Sequence, residues 1–131
     1  MEAIAKLRYL RQSPRKVKLI IDEVRGQQVL PAEQQLSAMN RQAAKPILEL
    51  IKSAAANATN NFKLDKSKLY IKSIIVGQGP VLKRYRPRAF GRAASIRKPS
   101  CHLTVVLAEK EASSGKQVAK KVSQSKPAGK K

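Results

Sequence analysis

The run Gly79-Pro80-Val81-Leu82-Lys83-Arg84-Tyr85-Arg86-Pro87-Arg88-Ala89-Phe90-Gly91-Arg92, continued by Ala93-Ala94-Ser95-Ile96-Arg97-Lys98-Pro99, decides the fold. It lies between two segments rich in β-forming side chains, residues 69–76 and residues 102–107. If those segments pair antiparallel, the turn falls near residues 88–91, and Pro80 and Pro99 sit at similar heights on the two arms. Proline lacks the amide that a sheet ladder needs and is tolerated at edges. A two-stranded ribbon consists only of edges and can absorb both. At about 3.3 Å per residue, each arm carries the ribbon about 30 Å beyond its body. An isolated hairpin is marginally stable in water, so this one is expected to be ordered by something outside the chain.

Charge indicates what that something is. The 131 residues hold 28 Lys plus Arg against 8 Asp plus Glu, a net charge of +20. Residues 81–100 contribute seven cations, Lys83, Arg84, Arg86, Arg88, Arg92, Arg97 and Lys98, with no acid among them. A compact chain so charged repels itself unless a polyanion neutralises it, and nucleic acid is the commonest one. Arginine dominates the ribbon, whereas residues 112–131 carry lysine alone. Arginine's planar fork grips phosphate bidentately and stacks on bases, and lysine acts as a mobile point charge. The ribbon therefore suits a defined folded RNA and the tail a loose attraction. Tyr85 and Phe90, set among the arginines, are candidates for stacking on exposed bases; cross-strand packing within the ribbon is an equal alternative for Tyr85.

The remainder reads as a body. Residues 3–10 alternate as a strand does, which predicts Ala5, Leu7 and Tyr9 on one face and Lys6 and Arg8 on the other. Ser13-Pro14 opens a first helix, with Ser13 as its cap and Pro14 at a position that needs no amide. Val17, Ile20, Ile21 and Val24 form its core stripe, Arg15, Lys16, Lys18 and Arg25 lie off it, and Gly26 stops it. A short second helix starts near Pro31, with Leu36 and Met39 inward. A third runs from about Ala43 to Asn60, with Ile47, Ile51, Ala54, Ala55 and Ala58 inward. Residues 111–131, rich in Lys, Ser, Ala, Gly and Gln, cannot offset the entropy of ordering and read as a disordered tail. The expected fold is α+β. Three helices pack on a short antiparallel sheet in one domain over 1–110, with a hairpin extension at about 77–101.

Catalytic constellations are missing from this reading. His102 is the only histidine and adjoins the only cysteine, Cys101. Neighbours on a strand point to opposite faces and make no working pair. Asp22 and Glu23 diverge around a helix. Gly77-Gln78-Gly79-Pro80 lacks the Gly-Lys-Ser/Thr of a phosphate loop; its glycines are expected to mark a bulge. No metal site, cofactor or enzyme activity is expected. Neither a membrane span nor a targeting segment is apparent, so synthesis and use in one reducing compartment is the simplest expectation.

The hairpin carries a resemblance. Lys83, four residues, Arg88-Ala89, one residue, Gly91-Arg92, nine residues and then His102-Leu103-x-Val105-x-Leu107 is similar to the large ribosomal subunit protein twenty-two family in its bacterial and organellar form. Gly79-Pro80-Val81-Leu82-Lys83-Arg84 looks like that family's approach to its hairpin, and Ser13-Pro14-Arg15-Lys16-Val17 like the start of its first helix. The resemblance covers about residues 3–110 and excludes the lysine-rich tail. It implies a non-enzymatic constituent of the large ribosomal subunit that binds 23S-type ribosomal RNA early in assembly. It further implies neighbouring large-subunit proteins near the exit tunnel, among them the extension of ribosomal protein L four. The hairpin tip, Arg88, Ala89, Phe90 and Gly91, is then expected to line the tunnel wall beside the nascent peptide. Expected on the RNA are Lys6 and Arg8, then Arg15, Lys16 and Lys18, together with the seven ribbon cations. The location implied is the cytoplasmic ribosome, with the plastid stroma left open. An architectural protein that grips duplex DNA with a basic ribbon is the alternative. Its element order differs. With no Trp, two Phe and three Tyr, no large aromatic dimer core is visible and no homo-oligomer is expected.

Overall fold

The computed structural model describes residues 2–109, so the tail at 111–131, expected to be disordered, lies outside the described residues. The elements run β1 (Glu2–Leu10), α1 (Pro14–Val24), α2 (Val29–Ala38), α3 (Ala44–Phe62), β2 (Leu69–Gln78), β3 (Leu82–Pro87), β4 (Ala93–Lys98) and β5 (Cys101–Glu109). This is the expected α+β arrangement: three helices, a three-stranded antiparallel sheet in the order β1-β5-β2, and a separate two-stranded ribbon β3-β4.

The helices cover one face of the sheet. All four stripe residues of α1, Val17, Ile20, Ile21 and Val24, are buried, and α1 packs on β2. α3 lies along β1 and β5 and also contacts α2. Its buried line of Ile47, Ile51, Ala54, Ala55 and Ala58 is extended by Ala44 and Leu50. The small alanines let the helix backbone approach the strands closely. From β5, the central strand, Cys101, Leu103, Val105 and Leu107 point into this core.

Two irregularities reset the strands. On β2, Ile71 pairs with Leu107 but Ser73 pairs with Val106, so Lys72 is an extra residue. The inward series becomes Leu69, Ile71, Ile74, with a step of three where plain alternation predicts two. The displaced Lys72 pairs with Glu2, and this partner holds the Glu2 carboxyl below the usual carboxylate range. On β1, Leu7 pairs with Leu103 but Leu10 with Cys101, so Arg8 and Tyr9 share the place opposite His102. Tyr9 has φ 59° and is 63% exposed. It does not join Ala5 and Leu7 on the core face; the bulge reverses the alternation after Leu7.

Smaller departures occur at the helix starts. Ser13 stands at the N-cap of α1 in extended conformation, but its side chain makes no capping bond. Its carbonyl accepts from the amides of Lys16 and Val17 instead. α2 begins at Val29, which puts Pro31 inside its first turn. Gly26 ends α1 as expected, with φ 77°, and its amide donates to the Ile71 carbonyl at 3.2 Å.

Candidate nucleic-acid interface

The ribbon leaves the body at a register step. The β2–β5 ladder ends at Gln78↔Cys101, the Gly79 amide donates to the Ser100 carbonyl at 2.9 Å, and the ribbon ladder resumes at Leu82↔Lys98. One residue of offset is taken up across the two prolines. Gly79 is required there for space: a Cβ would lie 2.6 Å from Ser100 Oγ. That hydroxyl donates to the Pro80 carbonyl at 2.6 Å and ties the two arms together. Gly77, by contrast, lies in regular strand; the bulge expected at these glycines is a step at the prolines.

Beyond the step every residue of β3 is exposed. The register places Leu82, Arg84 and Arg86 on the same face as Ala94, Ile96 and Lys98, and Lys83, Tyr85 and Pro87 with Ala93, Ser95 and Arg97. Both faces therefore carry cations, and apart from Ala94 every residue of β3 and β4 is exposed. Tyr85 is 69% exposed, so cross-strand packing does not bury it. At the tip the Arg88 amide donates to the Arg92 carbonyl at 2.7 Å, closing a turn over Ala89–Gly91. Phe90 and Gly91 both have positive φ, and Phe90 is 99% exposed. A phenylalanine fully in solvent gains nothing from the chain itself. Hydrogen exchange on the free protein should accordingly protect amides of residues 47–58 and 102–107 and leave 82–97 unprotected. Ribbon protection matching β5 would show that the ribbon needs no partner.

The body extends the basic surface. Lys6 and Arg8 are exposed on β1, and Arg15, Lys16 and Lys18 on α1. Where the ribbon joins, a cleft of about 900 Å³ opens between the β1–α1 connection, the segment before α3 and the ribbon base. Arg84, Arg97, Lys98 and Lys16 line it, joined by Arg11 and Arg41. Sequence reading passed over those last two because each is an isolated cation in a loop, and only the fold brings them to the ribbon.

Nothing in the described residues forms a reactive centre. Cys101 is buried, which pushes its thiol up and away from thiolate chemistry. His102 turns to the opposite face, and its Nδ1 accepts the Tyr9 amide at 3.0 Å. No three His, Cys, Asp or Glu side chains gather, and no helix is long and apolar enough to cross a membrane, among the described residues.

An α+β body with an exposed two-stranded ribbon that is cationic on both faces defines a class of basic proteins with a protruding β extension. Within that class, the chain belongs to the family described as Ribosomal protein L22p/L17e, whose model matches residues 5–108. It is 51% identical to the large ribosomal subunit protein uL22 of Fusobacterium nucleatum, over 85% of this chain and 100% of the relative. It is 54% identical to the protein of the same name from Syntrophotalea carbinolica, over 84% of this chain and 100% of the relative. With that of Chloroflexus aggregans, identity is 52% over 84% of this chain and 97% of the relative.

Proposed function

We propose that this protein is a structural constituent of the large ribosomal subunit that binds 23S-type ribosomal RNA, supports early subunit assembly and lines the nascent-peptide exit tunnel with its hairpin tip. The observation that carries the reading is a ribbon with cations on both faces and with nearly every residue of both strands exposed. RNA that surrounds such a ribbon neutralises both faces at once, whereas a single groove of duplex DNA covers fewer of them. Family membership and the names of the relatives point the same way.

The sites follow from this. Lys6, Arg8, Arg15, Lys16, Lys18 and the seven ribbon cations hold phosphates, Tyr85 and Phe90 are available to bases, and Arg88, Ala89, Phe90 and Gly91 reach furthest from the body. Tagged protein should co-sediment with large subunits through a high-salt gradient; release from subunits with retention on duplex DNA would favour the architectural alternative. Replacing Arg88 and Arg92 with alanine should leave the fold intact and flatten the salt dependence of RNA binding by about 0.7–0.9 log units per lost contact. An unchanged slope would remove both residues from the phosphate contacts. For the tip, a photo-crosslinker in place of Phe90 should capture nascent chains in translating ribosomes. Crosslinks to RNA alone would keep the RNA reading and reject the tunnel-facing tip.

A further inference from the structure

Tyr9 is an aromatic residue in a costly conformation with no core to fill. Its φ of 59° is one that glycine adopts freely and a tyrosine adopts at a cost. Such strain persists where surrounding structure enforces it, and it concentrates at functional sites. Here the bulge and His102 enforce it. The Tyr9 amide is held by His102 Nδ1, and the imidazole braces the phenol ring at 4.8 Å between centroids and 85° between planes. The ring is thus positioned while the residue stays 63% exposed.

Its surroundings are specific. Tyr9 lines the 900 Å³ cleft at the ribbon base, where six cationic residues and no acid share the wall with apolar surface from Leu19, Leu82 and Pro99. Leu19 is itself 60% exposed, although it projects from a helix with a well-filled core stripe. A cleft with an aromatic ring, an apolar floor and a cationic rim matches one chemistry, a flat heteroaromatic group joined to phosphates. A paired base in a duplex keeps its faces stacked and cannot present one to Tyr9.

We propose that Tyr9 is the stacking platform for an unpaired nucleotide of the RNA, seated in this cleft with its flanking phosphates on Arg11, Lys16 and Arg41. The assignment rests on the ribosomal RNA reading above and adds to it the strand state of the RNA and the body residues that select it. It also gives the bulge in β1 a purpose: without the extra residue, Tyr9 would follow Ala5 and Leu7 into the core.

The test uses the full chain and two RNA stem–loops, identical except that one carries a single unpaired 2-aminopurine in its stem. Wild-type protein should prefer the bulged stem by about tenfold and quench its fluorescence. Y9F should keep both properties. Y9G relieves the positive φ, so it should melt no lower than wild type and bind the paired stem as before, yet lose the preference and the quench. Tyr9→Asn, which also tolerates this conformation, should lose them equally. A Y9G or Tyr9→Asn protein that keeps the preference, or wild-type protein that binds both stems equally, would overturn the assignment and leave the RNA reading standing. Wild-type protein that binds neither stem would overturn both.

Discussion

Replacing Ile51 with alanine should lower the stability of the body by about 2–5 kcal/mol, the range for emptying a buried aliphatic site. Ile51 has no exposed surface and lies in the α3 stripe that covers β1 and β5. The alanines beside it cannot move in to fill the gap, because α3 is already close to the sheet. Urea unfolding of the free protein, followed by circular dichroism, should show the midpoint fall with an unchanged slope. Ile75→Ala is the control. Ile75 is 62% exposed on the uncovered face of the sheet, and its loss should change stability by no more than about 0.5 kcal/mol. Equal effects at the two positions would mean that the helices do not define the core.

The second large effect is expected from removing the ribbon. Gly79 and Ser100 face each other through the 2.9 Å amide–carbonyl bond, so an Asn-Gly pair in place of residues 80–99 closes β2 and β5 with a two-residue hairpin turn. The shortened protein should melt close to the full chain, because no buried core residue lies within the replaced segment. Seven cations leave with it. If each holds one phosphate, the slope of log affinity against log salt should fall by roughly five to six. Filter binding to large-subunit ribosomal RNA over a salt series measures this directly. A slope reduced by only one or two would place most RNA contacts on the body.

The parts of this architecture that were legible in the sequence are those set by periodicity and by punctuation. The α1 stripe, the α3 stripe with its alanines, the β-rich segments and the turn at residues 88–91 each follow from local spacing, and the folded chain keeps them. The bulges were not legible. Arg8-Tyr9 reads as continued alternation, and nothing local announces that Tyr9 turns outward; the cause is His102, 93 residues away. Lys72 is the same case on β2, where the step from Ile71 to Ile74 is understood only against the register of β5. The ribbon cations were visible as a run without acids. Arg11 and Arg41 were not, because a cleft assembled from three distant segments leaves no run to read. Ser13 shows the opposite error: the residue type suits a cap, but the side chain does not make the bond.

The order of strands in the sheet governs when this molecule can take shape. β5 is the last strand of the described chain and the middle one of its sheet, and β1 and β2 pair with it and not with each other. During synthesis the first strand emerges with no partner, and it waits until residues 101–109 are available. Pairing over such a sequence separation is slow relative to local helix formation. The helices can therefore form while the polypeptide is still growing, whereas closure of the sheet waits until residues 101–109 have been made. For that interval the apolar sides of β1 and β2 are open to solvent and to other chains. A newly made copy is thus most vulnerable to aggregation before β5 is available, and its period of risk ends when residues 101–109 slot between two strands that have been waiting for them.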